Sequence, residues 1–302
     1  MSKITVIVNP IAGRGAGARL SSQIVECLQG CGLDFELVTT TAPGHATALA
    51  RDATGQGSGA VVAVGGDGTV NEVLNGLIQA DENPDGTALA VLPIGTGNDF
   101  AFSAGLPLNL PEACQVVARG QSRILDVGWV QTDNEEPRYF GNGVGIGFDA
   151  IVNIESRKVK RLRGFLVYLV SVLKTMAFYY NAPQVTIRID HADLVQPSMM
   201  VSVMNGHRFG GGFYMTPGSQ MDDGLFDLCV AGKVSRLRML GLVPQFMRGS
   251  HTGDPHITMS QGRQVTVVSE SPWASHVDGE IYGVGARFFE MKLLPRRLHL
   301  LC

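Results

Sequence analysis

VVAVGGDGTVNEVLNGLI, residues 61–78, is the stretch on which the fold turns. Val61 to Val64 is a short β-branched run, and Gly65-Gly66-Asp67-Gly68-Thr69 is a glycine turn carrying one acid. Val70, Val73, Leu74, Leu77 and Ile78 follow at i, i+3, i+4, i+7 and i+8, which predicts a helix with one apolar stripe laid on a sheet. Strand, glycine turn and helix in succession form the unit of a parallel α/β sheet. Such a turn aims unblocked backbone N–H groups at an anion, and the helix dipole favours phosphate at the same place. Asp67 would repel that phosphate unless Mg2+ lies between them, so the loop points to a phosphate and metal site. The plainer alternative is a tight connection in which Thr69 and Glu72 form a capping box, a role expected of those two residues in either case.

Working outward, Lys3 to Val8, Phe35 to Thr39, Ala60 to Val64 and Ala88 to Leu92 read as strands with helical stretches between them. The expectation is an α/β N-terminal domain with a layered, mainly parallel sheet. After about Val130 the texture changes. Val185, Ile187 and Ile189 alternate with Thr186, Arg188 and Asp190, as half-buried antiparallel strands do, and Val201–Val203 and Val265–Val267 behave alike. Turn clusters at Gly210–Gly212 and Asp222–Gly224 separate these strands. The second half is therefore expected to be an all-β sandwich or barrel with one helical insert, from about Ile154 to Tyr180. With 302 residues and about 100 to 200 per domain, two domains are expected, packed directly and enclosing a cleft.

A second loop repeats the logic of the first. Ala88 to Leu92 is a strand, Pro93-Ile94 closes it, and Gly95-Thr96-Gly97-Asn98-Asp99-Phe100 leads into another helical start. Adjacent parallel strands end at one sheet edge, so both turns can face one ligand. Asp99 read alone is equally well a helix N-cap. The first loop, Asn9 to Ala18, contains Gly13-x-Gly15-x-x-Ala18 after a strand, with Asp34 or Glu36 downstream, which satisfies a weak dinucleotide fingerprint. That keeps an NAD-dependent oxidoreductase in view, although it leaves the two later glycine–acid loops without a task. No GK[ST] follows any of these glycines, so a Walker A loop is excluded.

Composition narrows the classes further. Hydrophobic residues make up 45% and charged residues 17%, which suits a packed globular chain. A net charge of -3 gives no electrostatic reason for a nucleic-acid partner. The five cysteines are scattered and odd in number, which supports neither a disulfide framework nor a zinc site and fits a reducing cytosol. His207, His251 and His256 have no ligand spacing and read as loop or surface histidines. No segment reads as a signal peptide or membrane span, so a cytoplasmic protein is expected.

Three motifs in order, NPIAGRG (9–15), GGDGTVNEV (65–73) and PIGTGNDFA (93–101), resemble the diacylglycerol kinase catalytic domain, in particular the soluble bacterial lipid kinases, with sphingosine and ceramide kinases as relatives. GGDGT is shared with NAD kinases; the opening NP-x-x-G with the later GTGNDFA is specific to the lipid-kinase branch. DDGLFD (222–227) and DGE (278–280) extend the resemblance into the second half. It implies an ATP-binding α/β domain over residues 1–128, a β-sandwich over 129–290 that receives the lipid, and a tail, about 291–302, that returns to the first domain. By position it implies nucleotide contacts at Asn9, Thr40, Gly65, Gly66, Asp67, Gly68, Thr69, Val70, Asn71, Gly95, Thr96, Gly97 and Asp99, with Asp67 and Asp99 working through Mg2+. Asp223, with backbone oxygens of Gln220 and Leu225, looks like the seat of a structural Mg2+ that Asp126 joins through water. On sequence grounds alone Asp222-Asp223-Gly224 is a plain β-turn.

The reaction so implied is Mg2+-dependent transfer of the γ-phosphate of ATP to a lipid hydroxyl. Asp278 is the implied general base, with Glu280 as competitor or partner; on a strand the two acids would share one face, where repulsion can raise a pKa. The bland reading of the same residues is a DG hairpin turn with solvated acids. Arg157, Lys158, Lys160, Arg161 and Arg163 precede an apolar helix, a pairing that suits peripheral contact with an anionic bilayer and equally suits a core helix with a solvated basic end. The inner face of the membrane is thus a second expected location, and a homodimer is among the assemblies the sequence allows. The competing functions are an NAD kinase-like enzyme and a catalytically silent lipid- or nucleotide-binding protein.

Overall fold

In the computed structural model, residues 4–80, 86–159, 162 and 165–302 are described, and of Phe165 the backbone alone. Ile4–Val8 (β1), Phe35–Thr39 (β2), Ala60–Gly65 (β3) and Ala88–Pro93 (β4) lie parallel in the order β4-β3-β1-β2. The strands β1, β3 and β4 are buried along their whole length, as continuous Val, Ile, Ala and Leu runs require in a sheet covered on both faces. Ala12–Arg19 (α1) belongs to the first glycine loop; Ser21–Gly30 (α2) follows it. His45–Gly55 (α3) and Asp67–Ala80 (α4) pack on each other and on the sheet. After the short helix Asp99–Ser103 (α5), Leu110–Arg119 (α6) joins α2 in covering β1, β3 and β4 with Ile24, Leu28, Ala113 and Val117.

The first compact unit comprises residues up to Val127 together with Pro295–Cys302, and the second comprises Gly128–Leu294. Ser122–Thr132 (β5) carries the chain out of the first unit. The final strand brings it back, with Leu300 paired in parallel to Leu89 of β4.

In the second unit Arg138–Phe140 (β6) pairs with β5, and Gly143–Gly147 (β7) leads into Phe148–Lys158 (α7) and then Phe165–Phe178 (α8). Gln184–Ile189 (β8) and Ala192–Met204 (β9) form an antiparallel pair, and the short strands Arg208–Phe209 (β10) and Phe213–Tyr214 (β11) a second. Phe226–Gly232 (β12) is followed by Arg236–Arg248 (α9), Ile257–Gly262 (β13), Gln264–Val277 (β14) and Glu280–Leu301 (β15). Strands β7 and β8 both lie between β9 and β14, β7 beside Met200–Met204 and Ser275–Val277, β8 beside Ala192–Pro197 and Val265–Ser269. The long strands β9 and β14 thus run through both halves and fold over one core, where Phe140 stacks on Phe226 at 5.4 Å among Val144, Ile187, Val203 and Val267.

The helical insert differs from expectation in two ways. It is a pair of helices, α7 beginning already at Phe148, and Lys160, Arg161 and Arg163 between them lie outside the described residues. A further helix, α9, was hidden in the sequence because Gly241 and Pro244 both lower helix propensity in its interior. It forms because Ser235 caps it by accepting from Arg238 N–H (3.3 Å), Gly249 ends it at φ 70°, and Met239, Leu242 and Phe246 bury one side. His251 just beyond is fully buried and not a surface residue: it stacks on Phe246 at 3.9 Å and hydrogen-bonds Met215 O.

Candidate functional site

The three glycine loops of the first unit meet at the carboxyl edge of its sheet. Asn9, one residue past β1, donates from N to Val64 O (3.0 Å) and from Nδ2 to Thr69 Oγ1 (2.9 Å), which ties the first loop to the second. Gly13, Arg14 and Gly15 are wound left-handed, with φ of 56°, 57° and 84°. A Cβ on Gly13 would stand 2.1 Å from Ile94 O, so only glycine lets the first loop press on the third. A Cβ on Gly95 would stand 2.4 Å from Gly66 Cα, so the second and third loops touch backbone to backbone. Gly13 is therefore packed against Ile94, which gives that glycine a task other than the dinucleotide fingerprint.

Two carboxylates converge on this junction. A Cβ placed on Gly97 would be 3.1 Å from both Asp67 Oδ2 and Asp99 Oδ2. Asp67 Oδ1 accepts from Phe100 N–H at 2.9 Å, so the acid of the second loop caps the helix that follows the third. Asp99 is itself the first helical residue of α5, with Asn98 as N-cap, and is buried. The expected capping box of α4 does not form. Thr69 is occupied by Asn9, and Glu72 reaches across to α3, accepting from Gly44 N–H (2.9 Å) and Ala46 N–H (3.1 Å). The donors at the start of α3 are unpaired without it, whereas Gly66 O already takes Val70 N–H within α4.

Of the other residues expected at the nucleotide, Gly66, Gly68, Gly95, Thr96 and Gly97 are accessible to solvent. Gly65, Val70 and Asn71 lie inside, Asn71 accepting from Asn75 Nδ2, and Thr40 is buried beside β1 with its N–H on Val8 O. Asp126 is buried and accepts from Arg296 N–H at 2.7 Å.

The second unit holds the remaining acids. Asp278 and Gly279, with φ of 47° and 79°, are the two central residues of a hairpin turn between β14 and β15, in which Val277 pairs with Glu280. Asp278 therefore lies within the turn and Glu280 just past it, and the two acids do not share a strand face. Nor is Asp278 solvated: it is 4% exposed, and its carboxylate accepts from Gly141 N–H (2.9 Å), Asn142 N–H (2.9 Å) and Gly143 N–H (2.8 Å). Asn205 Nδ2 bonds Gly141 O and Asn142 Nδ2 bonds Arg208 O, which hold those three donors in place. Helix α7 grips the turn from its other side, Asn153 Nδ2 on Gly279 O (2.7 Å) and Arg157 Nη2 on Glu280 Oε2 (2.8 Å). Glu155, between those two residues on α7, is buried under Lys158, Lys174 and Tyr179, and the two lysines hold its carboxyl down at about 2.

Sequence reading missed Gly141–Gly143, Asn153 and Arg157 as supports of this turn. The Gly- and Asn-rich run FGNGVGIG, 140–147, was the available signal. His276, also unremarked, is buried with Nε2 3.1 Å from Asp149 Oδ2 and lies edge-on to Phe209. Asp223 is exposed, and its Oδ1 accepts from Leu225 N–H (3.0 Å), an Asx turn that uses the carboxylate locally. Among the described residues no group of three or more His, Cys, Asp or Glu is placed to hold a metal, and the residues around Asp223 do not form such a group. No helix among them is long and apolar enough to cross a membrane.

Comparison with known proteins places both halves. The family described as diacylglycerol kinase catalytic domain matches residues 3–130, and the YegS C-terminal NAD kinase beta sandwich-like domain matches residues 142–302. A diacylglycerol kinase of Bacillus subtilis (strain 168) is 30% identical over 289 residues, 94% of this chain and 91% of that protein. A protein of Chromohalobacter salexigens named "Probable lipid kinase YegS-like" is 35% identical over 242 residues, 78% of this chain and 74% of its own. The crystal structure of a diacylglycerol kinase from Bacillus anthracis str. Sterne, 22% identical, superposes with a TM-score of 0.75 over 99% of this chain and 96% of that one, and so shares its fold.

Proposed function

Because this chain belongs to the diacylglycerol kinase catalytic-domain family and is thereby a kinase, we propose that it moves the γ-phosphate of ATP to a hydroxyl of a lipid, diacylglycerol or a close relative, in a Mg2+-dependent reaction. The observation that carries the reading is the junction of three glycine loops at one sheet edge, with Asp67 and Asp99 both beside Gly97.

Phosphoryl transfer asks a protein to position phosphates, spread their charge and take the proton of the attacking hydroxyl. Backbone N–H groups of the accessible glycines at the start of α4 cradle the phosphates, and the dipole of that helix adds favourable potential. Two hard carboxylates side by side, with phosphate oxygens to complete the shell, suit Mg2+ and not a soft metal. Asp67 and Asp99 would hold that ion, and it would supply neutralisation of the charge on the transferred group. Asp278 takes the hydroxyl proton onto a carboxylate oxygen, its orientation held by the three backbone N–H groups. Glu280 lies two residues away with one oxygen engaged by Arg157, which makes it the competing acceptor and the natural control.

Radiolabelled ATP offered in parallel to a total lipid extract and to NAD tests the reading, with and without a chelator of Mg2+. Label in a lipid that disappears with the chelator supports it, and label in NAD alone overturns it. Mass spectrometry of the product then identifies the lipid.

A further inference from the structure

Two buried polar side chains of the second unit lie outside the chemistry so far assigned. His276 stands two residues before Asp278 on β14, and its Nε2 is 3.1 Å from Asp149 Oδ2 in the first turn of α7. The pair sits over Gly145, which β7 places beside His276. A Cβ on Gly145 would come within 2.3 Å of both Asp149 Oδ2 and His276 Nε2, so only glycine leaves room for the contact. Among the described residues neither Asp149 Oδ2 nor His276 Nδ1 has a hydrogen bond, which makes the pair costly to bury. Two apolar side chains of similar size would serve packing better. The burial asks for a role that needs a directed contact at this place.

Helix α7 supplies that role. Asp149, Asn153 and Arg157 follow at i, i+4 and i+8 and so share one face of the helix. Their partners follow in the same order along the chain: His276, then Gly279 O, which accepts from Asn153 Nδ2 at 2.7 Å, then Glu280, which accepts from Arg157 Nη2 at 2.8 Å. One face of one helix thus lies along the hairpin, from the strand before Asp278 to the residue after Gly279. The contacts differ in strength. Arg157 and Glu280 are both half in solvent, where an ion pair contributes little, whereas the side chains of His276 and Asp149 are 2% and 11% exposed, where charge is poorly screened. The buried contact is the fixed end of the row. Asp278 needs such support, since its φ of 47° is a left-handed conformation in a residue with a Cβ.

We propose that Asp149 and His276 are positioning residues for the reaction: they pin the first turn of α7 to β14, and α7 then holds the Asp278 turn at the angle from which its carboxylate meets the hydroxyl. The inference rests on the lipid-kinase reading, in which Asp278 takes the hydroxyl proton. Neither Asp149 nor His276 touches the substrate in this role. Strand β7 closes the frame, because its first residue, Gly143, donates to Asp278 and its last, Gly147, leads at φ 86° into α7. A misplacement of about 1 Å at the reacting group costs about 100-fold in rate, so a helix that sets the aim of one carboxylate acts on kcat without touching nucleotide binding.

The test is steady-state kinetics of the full chain with ATP and a short-chain diacylglycerol, alongside amide hydrogen exchange read by mass spectrometry. D149L/H276L replaces the polar pair by an apolar one. Its kcat falls about ten- to a hundredfold with KM for ATP unchanged, its circular dichroism stays that of wild type, and amides 141–143 exchange faster while 61–78 do not. A merely structural pair would leave kcat of the folded enzyme alone. D149N/H276Q, uncharged but still able to hydrogen-bond, returns kcat to within about threefold of wild type. Should the leucine pair not fold, D149A and N153A decide: each lowers kcat, and the double variant loses less than the product of the two, because both act through α7. The proposal is overturned if D149L/H276L keeps wild-type kcat and wild-type protection at 141–143, if D149N/H276Q is no better than the leucine pair, or if the losses in D149A and N153A multiply. Failure of the kinase reading looks different: wild type labels no lipid, while amides 141–143 of D149L/H276L still lose protection.

Discussion

The glycine loops of the first unit and the DG turn of the second are built from the same letters and do opposite things. In GGDGT and GTGND the acids stand where loops from neighbouring strands meet, Asp67 and Asp99 side by side next to Gly97 among accessible glycines. In DGE the acid is turned inward, where Asp278 gathers three backbone N–H groups, and Gly279 supplies the second left-handed residue of the hairpin. What separates them is the supply of donors. A helix start presents its N–H groups outward to a ligand, whereas Gly141–Gly143 presents three N–H groups inward to one carboxylate. A carboxylate beside glycine is therefore left open at a loop junction or held fast by its own chain, depending on which donors reach it.

The sharpest way to break this contrast is Asp278→Asn. Loss of a general base costs about 100- to 10,000-fold in kcat, with ATP affinity unchanged by calorimetric titration. The amide also sets an N–H against a backbone donor, so unfolding should fall by about 1–3 kcal/mol on denaturant titration. Wild-type kcat in that variant removes Asp278 as base. Asp67→Ala comes next: it should weaken Mg-ATP binding by about tenfold or more, the worth of one charge-assisted contact, and frees Phe100 N–H. Unchanged nucleotide affinity would take phosphate recognition away from the second loop.

Gly13→Ala probes the loop junction through packing. With φ at 56° and Ile94 O at 2.1 Å from the new methyl, it should cost about 1–3 kcal/mol in stability and raise KM for ATP more than it lowers kcat. Acid titration reads the second unit. Glu155 titrates near 2 in the folded chain and near 4.5 unfolded, so its contribution is full above about pH 4.5 and is lost as pH falls through about 2. Its size is about 1–2 kcal/mol, because both lysine heads are half in solvent, and Glu155→Gln should flatten that part of the pH–stability curve. The smallest effect is expected of Glu280→Gln, below about 1 kcal/mol in stability for a half-exposed ion pair. A larger loss of kcat in Glu280→Gln than in Asp278→Asn would reverse their roles.

Much of the first unit was legible without coordinates, since its strands and the stripe on α4 are periodic patterns within single segments. The second and third loops could be placed at one edge because adjacent parallel strands end together, whereas the approach of the first loop to Ile94 came only from the structure. Capping was misread where the partner lay elsewhere in the chain: Glu72 serves α3, and Asp67 serves α5. Helix α9 escaped because glycine and proline in its interior speak against a helix locally, and the burial of Met239, Leu242 and Phe246 outweighs them.

The sequence by itself determined the parallel α/β unit, the alternating strands of the β-rich unit and the glycine–acid loops as a group, because each is written in the period or order of nearby residues. Only the tertiary structure decided which donors each acid satisfies, that Asp278 is buried in its turn, and that His276 lies against Asp149. Those depend on partners from a few dozen to more than a hundred residues away, whose approach is set by packing and not by any local pattern.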